Sequence, residues 1–300
     1  METEPKIWSP AVVCISWSVA IAAFPLALVV AAVGQGLGAM AGGCHWIGLS
    51  LPLDRQVWAL VNQPVINFSS LPSASGYWLG SLILPLIIAA GIIPLLPRAH
   101  SLFAELSVVQ VAWSAAVVAG AWQPLLEHDD GHFARWLSLH DRPHELVWVA
   151  PVLASIIALV PSFRLLEMAR RRQSSARSTA RIGIVAIHLG FPLIAWIVLT
   201  TCVRGSLPIA ATIAAAAPLV TSLTVAWLRY PSPYVRPLEP ATPSRFAGVL
   251  IAAALVGVFV WVAGRPLPEG RSAGILWGTP QAFNNIRPWI DPWSVNPDGR

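Results

Sequence analysis

The sequence predicts an all-α polytopic membrane protein of about seven transmembrane helices, with a small extracytoplasmic β-like insertion after the first helix and an extended C-terminal tail. Three observations lead there. Of the 300 residues 56% are apolar and only 11% charged, with a mean hydropathy of +0.65, whereas a soluble domain carries about 25% charged residues. Apolar runs long enough to cross a hydrocarbon core of about 30 Å recur along the chain. The arginines fall between those runs rather than on one polar face, which attributes the net charge of +5 to orientation in a bilayer and argues against nucleic-acid binding.

In chain order, spans are expected at residues 9–33, 73–96, 102–125, 146–167, 182–203, 206–228 and 246–264. The N-terminal METEPK sets one lysine against two glutamates and leads into an apolar run longer than a signal-peptide core, so the first span is expected to be retained. Gly34, Gly36, Gly38, Gly42 and Gly43 weaken the end of that span without a proline stop, which lets one bent helix continue to about residue 42. The connection 43–72 is broken by Pro52, Pro64 and Pro72. Within it, Trp46 to Leu51 and Val65 to Phe68 have the alternation and β-branched content of short strands.

The connection after the fourth span carries Arg170, Arg171, Arg172, Arg177 and Arg181, with Arg164 at the end of that span, and the positive-inside rule places this end in the cytoplasm. The acidic cluster Glu127, Asp129, Asp130, Asp141 and Glu145 then falls outside. The expected location is the inner (cytoplasmic) membrane, with the N-terminus cytoplasmic and the C-terminus extracytoplasmic. The linker 230–245 is proline-rich and expected to be extended. Three regions result: a membrane core at 1–145 with its outer loop 43–72, additional helices at 146–264 with the arginine-rich loop 168–181, and a Trp/Pro-rich outer tail at 265–300. Cys14, Cys44 and Cys202 are too few and too scattered for a disulfide framework or a CxxC metal site.

The end of the first span is the stretch with the most chemical meaning. The HExxH motif places two zinc histidines one turn apart on a helix face, with a glutamate beside them to activate water. Here Val33-Gly34-Gln35-Gly36-Leu37-Gly38-Ala39-Met40-Ala41 is followed by Gly43-Cys44, strand-like segments, a Ser/Pro/Gly-introduced span at 70–80 and later Asp129-Asp130-Gly131. Over about residues 20 to 145 this order resembles the site-2-protease type of intramembrane zinc metalloprotease. The resemblance implies that Gly34 and Gly38 stand in place of the zinc histidines, Gln35 in place of the general-base glutamate, and Asp130 in place of the distal aspartate ligand. A catalytic zinc needs about three protein ligands, so a lone aspartate implies a degenerate, non-catalytic relative. The same glycines equally describe a small-residue surface of the GxxxG kind, which needs no such ancestry.

Three further groups of residues carry candidate chemistry. His128, His132, His140 and His144 form two His-x-x-x-His pairs beside Asp129, Asp130 and Asp141, a ligand set suited to zinc or copper, although Gly131 and Pro143 interrupt helix within the pairs. His188 lies inside the fifth span between Gly183 and Gly190, which could leave room for a flat haem or pigment; the plainer role is a neutral histidine bonded to a neighbouring helix. Of the 15 tryptophans, Trp17, Trp113 and Trp196 are expected to pack between helices, Trp8 and Trp227 at the inner interface, and Trp46, Trp122, Trp136, Trp148 and Trp261 at the outer one. Trp277, Trp289 and Trp293, in the proline-broken tail, suit anchoring on a partner surface.

These residues lead to one expected function and two alternatives. The first is a non-catalytic membrane subunit that scaffolds a larger membrane complex through its outer loops and tail, its partners being the lipid bilayer and other integral membrane subunits, with no cofactor. The second is a metal-dependent hydrolase built on the histidine loop and holding zinc. The third is a pigment- or haem-associated subunit of a photosynthetic or respiratory complex.

Overall fold

The structure, a computed structural model, describes residues 7–50, 58–61, 71–94, 102–121, 145, 148–172, 178–204, 209–228 and 274–276. These form helices α1 (Pro10–Ala41), α2 (Leu71–Ile92), α3 (Leu102–Gly120), α4 (Val149–Arg172), α5 (Ser178–Val185), α6 (Phe191–Arg204) and α7 (Ile209–Leu228), with a π-helical turn Ala186–Gly190 joining α5 to α6. Three strands, β1 (Trp46–Ser50), β2 (Trp58–Val61) and β3 (Gly274–Leu276), are also described. Among the described residues four segments are long and apolar enough to cross a membrane: Val12–Ala41, Leu102–Gly120, Val149–Arg170 and Thr179–Val198. Gly76–Ile92 and Thr212–Leu228 are shorter apolar helices, and the expected span 246–264 lies outside the described residues.

The solvent of this bundle is legible in what it buries. Ala20, Ala27, Ala112, Ala116, Ala154 and Ala158 are buried, while Ile21, Ile83, Ile87, Val152, Ile156 and Ile194 face outward. Small residues inside and branched aliphatic residues outside is the arrangement of helices packed in lipid, where apolar surface gains nothing by hiding and close backbone approach supplies the attraction.

α1 begins with Pro10 at a position that needs no N–H, behind Ser9, whose hydroxyl accepts a 3.4 Å hydrogen bond from the Val12 amide. It runs 32 residues, about 48 Å at 1.5 Å per residue, so it outreaches a 30 Å hydrocarbon core by several turns. It ends where Gly43 turns to φ +89°, with the Gly42, Gly43 and Cys44 amides bonded back to Gly38, Met40 and Ala39. α2 runs antiparallel to α1, with Gly80 beside Gly34 and Gly76 beside Gly38. α3 runs alongside α1 in the same sense, since Gln110 meets Ser16 and Trp113 meets Phe24 further along. α3 is enclosed along most of its length and forms the centre of the bundle. Gly120 lies against Ala154 of α4, and Ser162 of α4 faces Ser222 of α7 at 2.7 Å. The Arg181 guanidinium donates to the Trp227 carbonyl at 3.3 Å, bringing the start of α5 to the end of α7.

The strand Trp58–Val61 is not foreseen from the sequence, and the expected strand Val65–Phe68 lies outside the described residues. The tail contributes Gly274–Leu276 as a third strand, so the sheet order is β2-β1-β3, both pairs antiparallel, with Leu49 opposite Ala59 on one side and Ile275 on the other. An extended segment meeting an open strand edge gains a full ladder of backbone hydrogen bonds, and β1 offers such an edge. Glu105 is buried in the first turn of α3.

Candidate functional site

The stretch from Gly34 to Gly38 lies in a seam between α1 and α2. A Cβ on Gly34 would run into the Gly80 carbonyl, one on Gly38 into the Gly76 carbonyl, and the reverse holds for Gly76 and Gly80. Four glycines thus interlock reciprocally, Gly34-x-x-x-Gly38 against Gly76-x-x-x-Gly80, and backbone touches backbone. Gly36, on the opposite side of α1, lies beneath the Trp46 indole of β1, and a side chain there would collide with the ring. Any side chain large enough to ligate a metal from position 34 or 38 would have to displace the α2 backbone.

Gln35 points to the sheet. It is wholly buried, and its Oε1 accepts from the Ala59 amide at 3.1 Å, while the Tyr77 hydroxyl of α2 donates to the Ala59 carbonyl at 3.1 Å. Both backbone groups of Ala59 are therefore met by helix side chains, which closes the outer edge of β2 where another strand would otherwise add. The pair also fastens the sheet to α1 and α2. Gln35→Leu should leave the buried Ala59 amide unmet and lower stability by about 1–3 kcal/mol, with Tyr77→Phe costing about 1 kcal/mol. Hydrogen exchange of residues 46–61 would report it as faster exchange confined to the strands; unchanged protection in Gln35→Leu would refute the role.

The second polar centre surrounds the π-helical turn. Pro192 has no N–H, so the His188 carbonyl four residues earlier and the Ile187 carbonyl five residues earlier both lose a helical donor. Side chains of neighbouring helices replace it. The Trp17 indole of α1 donates to the Ile187 carbonyl at 2.8 Å, and the Gln110 amide of α3 donates to the His188 carbonyl and to the Ser16 hydroxyl, each at 2.7 Å. The His188 ring is fully buried, with Nε2 3.2 Å from the Ile7 carbonyl. The glycines flanking His188 each have a neighbouring side chain. A Cβ added at Gly183 would lie 2.8 Å from the Trp8 ring, and one added at Gly190 would lie 3.6 Å from Leu219. Above this turn Phe24 stacks on Trp196 at 5.0 Å and meets the edge of buried Trp113 at 6.2 Å, so α1, α3 and α6 share one aromatic cluster.

Of the residues singled out in the sequence, Gly34, Gln35, Gly38 and His188 are placed, at two separate centres. Asp130, His128, His132, His140, His144, Trp277, Trp289 and Trp293 lie outside the described residues. Among the described residues no group of three or more His, Cys, Asp or Glu side chains could hold a metal ion. Sequence reasoning missed Gly76, Gly80, Tyr77, Ser16 and Gln110. Usable signals existed: the Gly-x-x-x-Gly spacing at 76–80, a glutamine within an apolar helix, and a proline four residues after His188. No family model, no curated protein and no solved structure matches this chain.

Proposed function

We propose that this chain is a non-catalytic integral membrane subunit that presents a small extramembrane sheet, held on a closely packed helix pair, to other membrane proteins. The observation that carries this reading is the reciprocal contact of Gly34 and Gly38 with Gly80 and Gly76, which fills with backbone the place where the resemblance to zinc metalloproteases would require ligands. Gln35, in place of a general base, commits its carbonyl to the sheet. A seam of this kind makes a stiff platform.

The proposed topology has seven spans in the inner membrane with the N-terminus inside. Trp8, Arg181 and Trp227 lie toward one end of the bundle and β1 with β3 at the other, which supports one further crossing between α7 and Gly274. The apolar run 246–264 is the segment suited to that crossing. Arg164 and Arg170, at the far end of α4, then face the cytoplasm under the positive-inside rule, and the tail emerges outside next to β1.

The deciding experiment is purification from membranes in mild detergent, followed by native mass spectrometry of the full chain and of a form ending at residue 276, which keeps β3 and removes Trp277, Trp289 and Trp293. The full chain should travel in a complex larger than itself and the shortened form should lose that partner. A monomer in both cases would count decisively against the subunit reading.

A further inference from the structure

The last turns of α1 still present apolar residues to the outside of the bundle. Leu26, Val30, Val33, Leu37 and Met40 recur at helical spacing and none of them is buried, Leu37 being 49% and Met40 53% exposed. The sheet is fastened beside this stripe rather than beyond it, because Gln35 holds Ala59 of β2 and Gly36 lies beneath Trp46 of β1. In water the stripe would be an exposed apolar patch alongside the sheet, whereas in lipid it is the ordinary surface of a helix.

Two independent observations bear on the depth of this region. The first is the Arg164–Glu167 ion pair, partly exposed on α4 at 2.6 Å. From the contact of Ala154 with Gly120, α4 runs back along α3. Arg164 lies ten residues past Ala154 and Gln110 ten residues before Gly120, each about 15 Å away, so the pair is level with Gln110 and with its partner Ser16 of α1. A partly exposed charge pair belongs outside the hydrocarbon, which then begins near Ser16; about 30 Å further, or about 20 helical residues, is Gly36. The second observation is the edge of β2. Strand-edge amides and carbonyls in water need no protein partner, but at the hydrocarbon boundary they do. Both groups of Ala59 have one, the buried side chains of Gln35 and Tyr77.

We propose that the bilayer leaflet on the sheet side rises along α1 to Met40, so that phospholipids cover Leu37 and Met40 and the sheet is seated at headgroup depth instead of standing free in water. This depth is set by the chain's own stripe, charges and strand edge, and it is independent of any protein partner of the sheet.

The test uses the full chain in phospholipid nanodiscs with carbon-13 methyl methionine, because the chain has only three methionines, Met1, Met40 and Met168. Met40→Leu identifies the Met40 methyl signal, and buried Met168 serves as the reference. A nitroxide carried on the lipid acyl chain just below the headgroup should broaden the Met40 signal several-fold more than a gadolinium chelate dissolved in the water. Stronger broadening by the chelate overturns the proposal, since the stripe would then face water. A Met40 signal spared by both agents overturns it as well, since protein rather than lipid would then cover the stripe.

Discussion

Gly38→Ala should destabilise the protein by about 2–3 kcal/mol, the upper part of the range for forcing extra atoms into a packed interior. The reason is the identity of the obstacle. The new methyl would meet the Gly76 carbonyl, a backbone atom in the middle of a helix, which cannot swing aside as a flexible side chain would. The helices must part, and Gly34 and Gly80 part with them. Gly34→Ala should therefore cost a similar amount alone but add little to Gly38→Ala, because the separation has already taken place. Gly91→Ala is the control: nothing lies within 4 Å of a Cβ there, and removing a helical glycine should leave stability unchanged or raise it by up to about 1 kcal/mol. Reversible unfolding in bicelles would measure all four proteins. Equal stability of Gly38→Ala and Gly91→Ala would show that the seam does not hold the helices together.

The parts of the structure that were legible in the sequence were those governed by local rules. Runs of about 20 apolar residues need no partner to declare a helix of membrane length, and α1, α3 and α4 lie where such runs occur. The glycines at 34 and 38 announced a close contact but not with what: Gly76 and Gly80 have the same spacing, and nothing local says that the two motifs face one another. The sheet was half legible for a similar reason. β1 has strand composition of its own, while β2 is fixed where Gln35 and Tyr77 meet the amide and carbonyl of Ala59. β3 comes from the opposite end of the chain, a pairing that no local pattern encodes. His188 was visible as an anomaly, and its bond to the Ile7 carbonyl is of the plainer kind the sequence suggests, while the ring of Trp8 beside Gly183 could not be read locally.

Gln110→Leu should lower stability by about 2 kcal/mol, and most of that loss should disappear in a chain that also carries Pro192→Ala. Leucine matches glutamine in size but donates nothing, so the His188 carbonyl and the Ser16 hydroxyl lose their shared partner inside the bundle. One unmet buried polar group costs about 1–3 kcal/mol, although hydrogen bonds between membrane helices average only about 0.6 kcal/mol because the unfolded chain also finds partners in the membrane. What raises the expectation here is Pro192: the His188 carbonyl cannot fall back on its own helix, because the residue that would serve it has no N–H. Pro192→Ala restores that donor, lets the π turn relax towards a regular helix, and makes the Gln110 amide redundant for the carbonyl. The interaction energy of the double-mutant cycle should be about 1 kcal/mol or more, with the sign that makes the pair of changes less harmful than their sum. Strict additivity would mean that the turn is set by packing around Trp17 and Phe191, whose rings lie 6.0 Å apart, rather than by the missing hydrogen of Pro192.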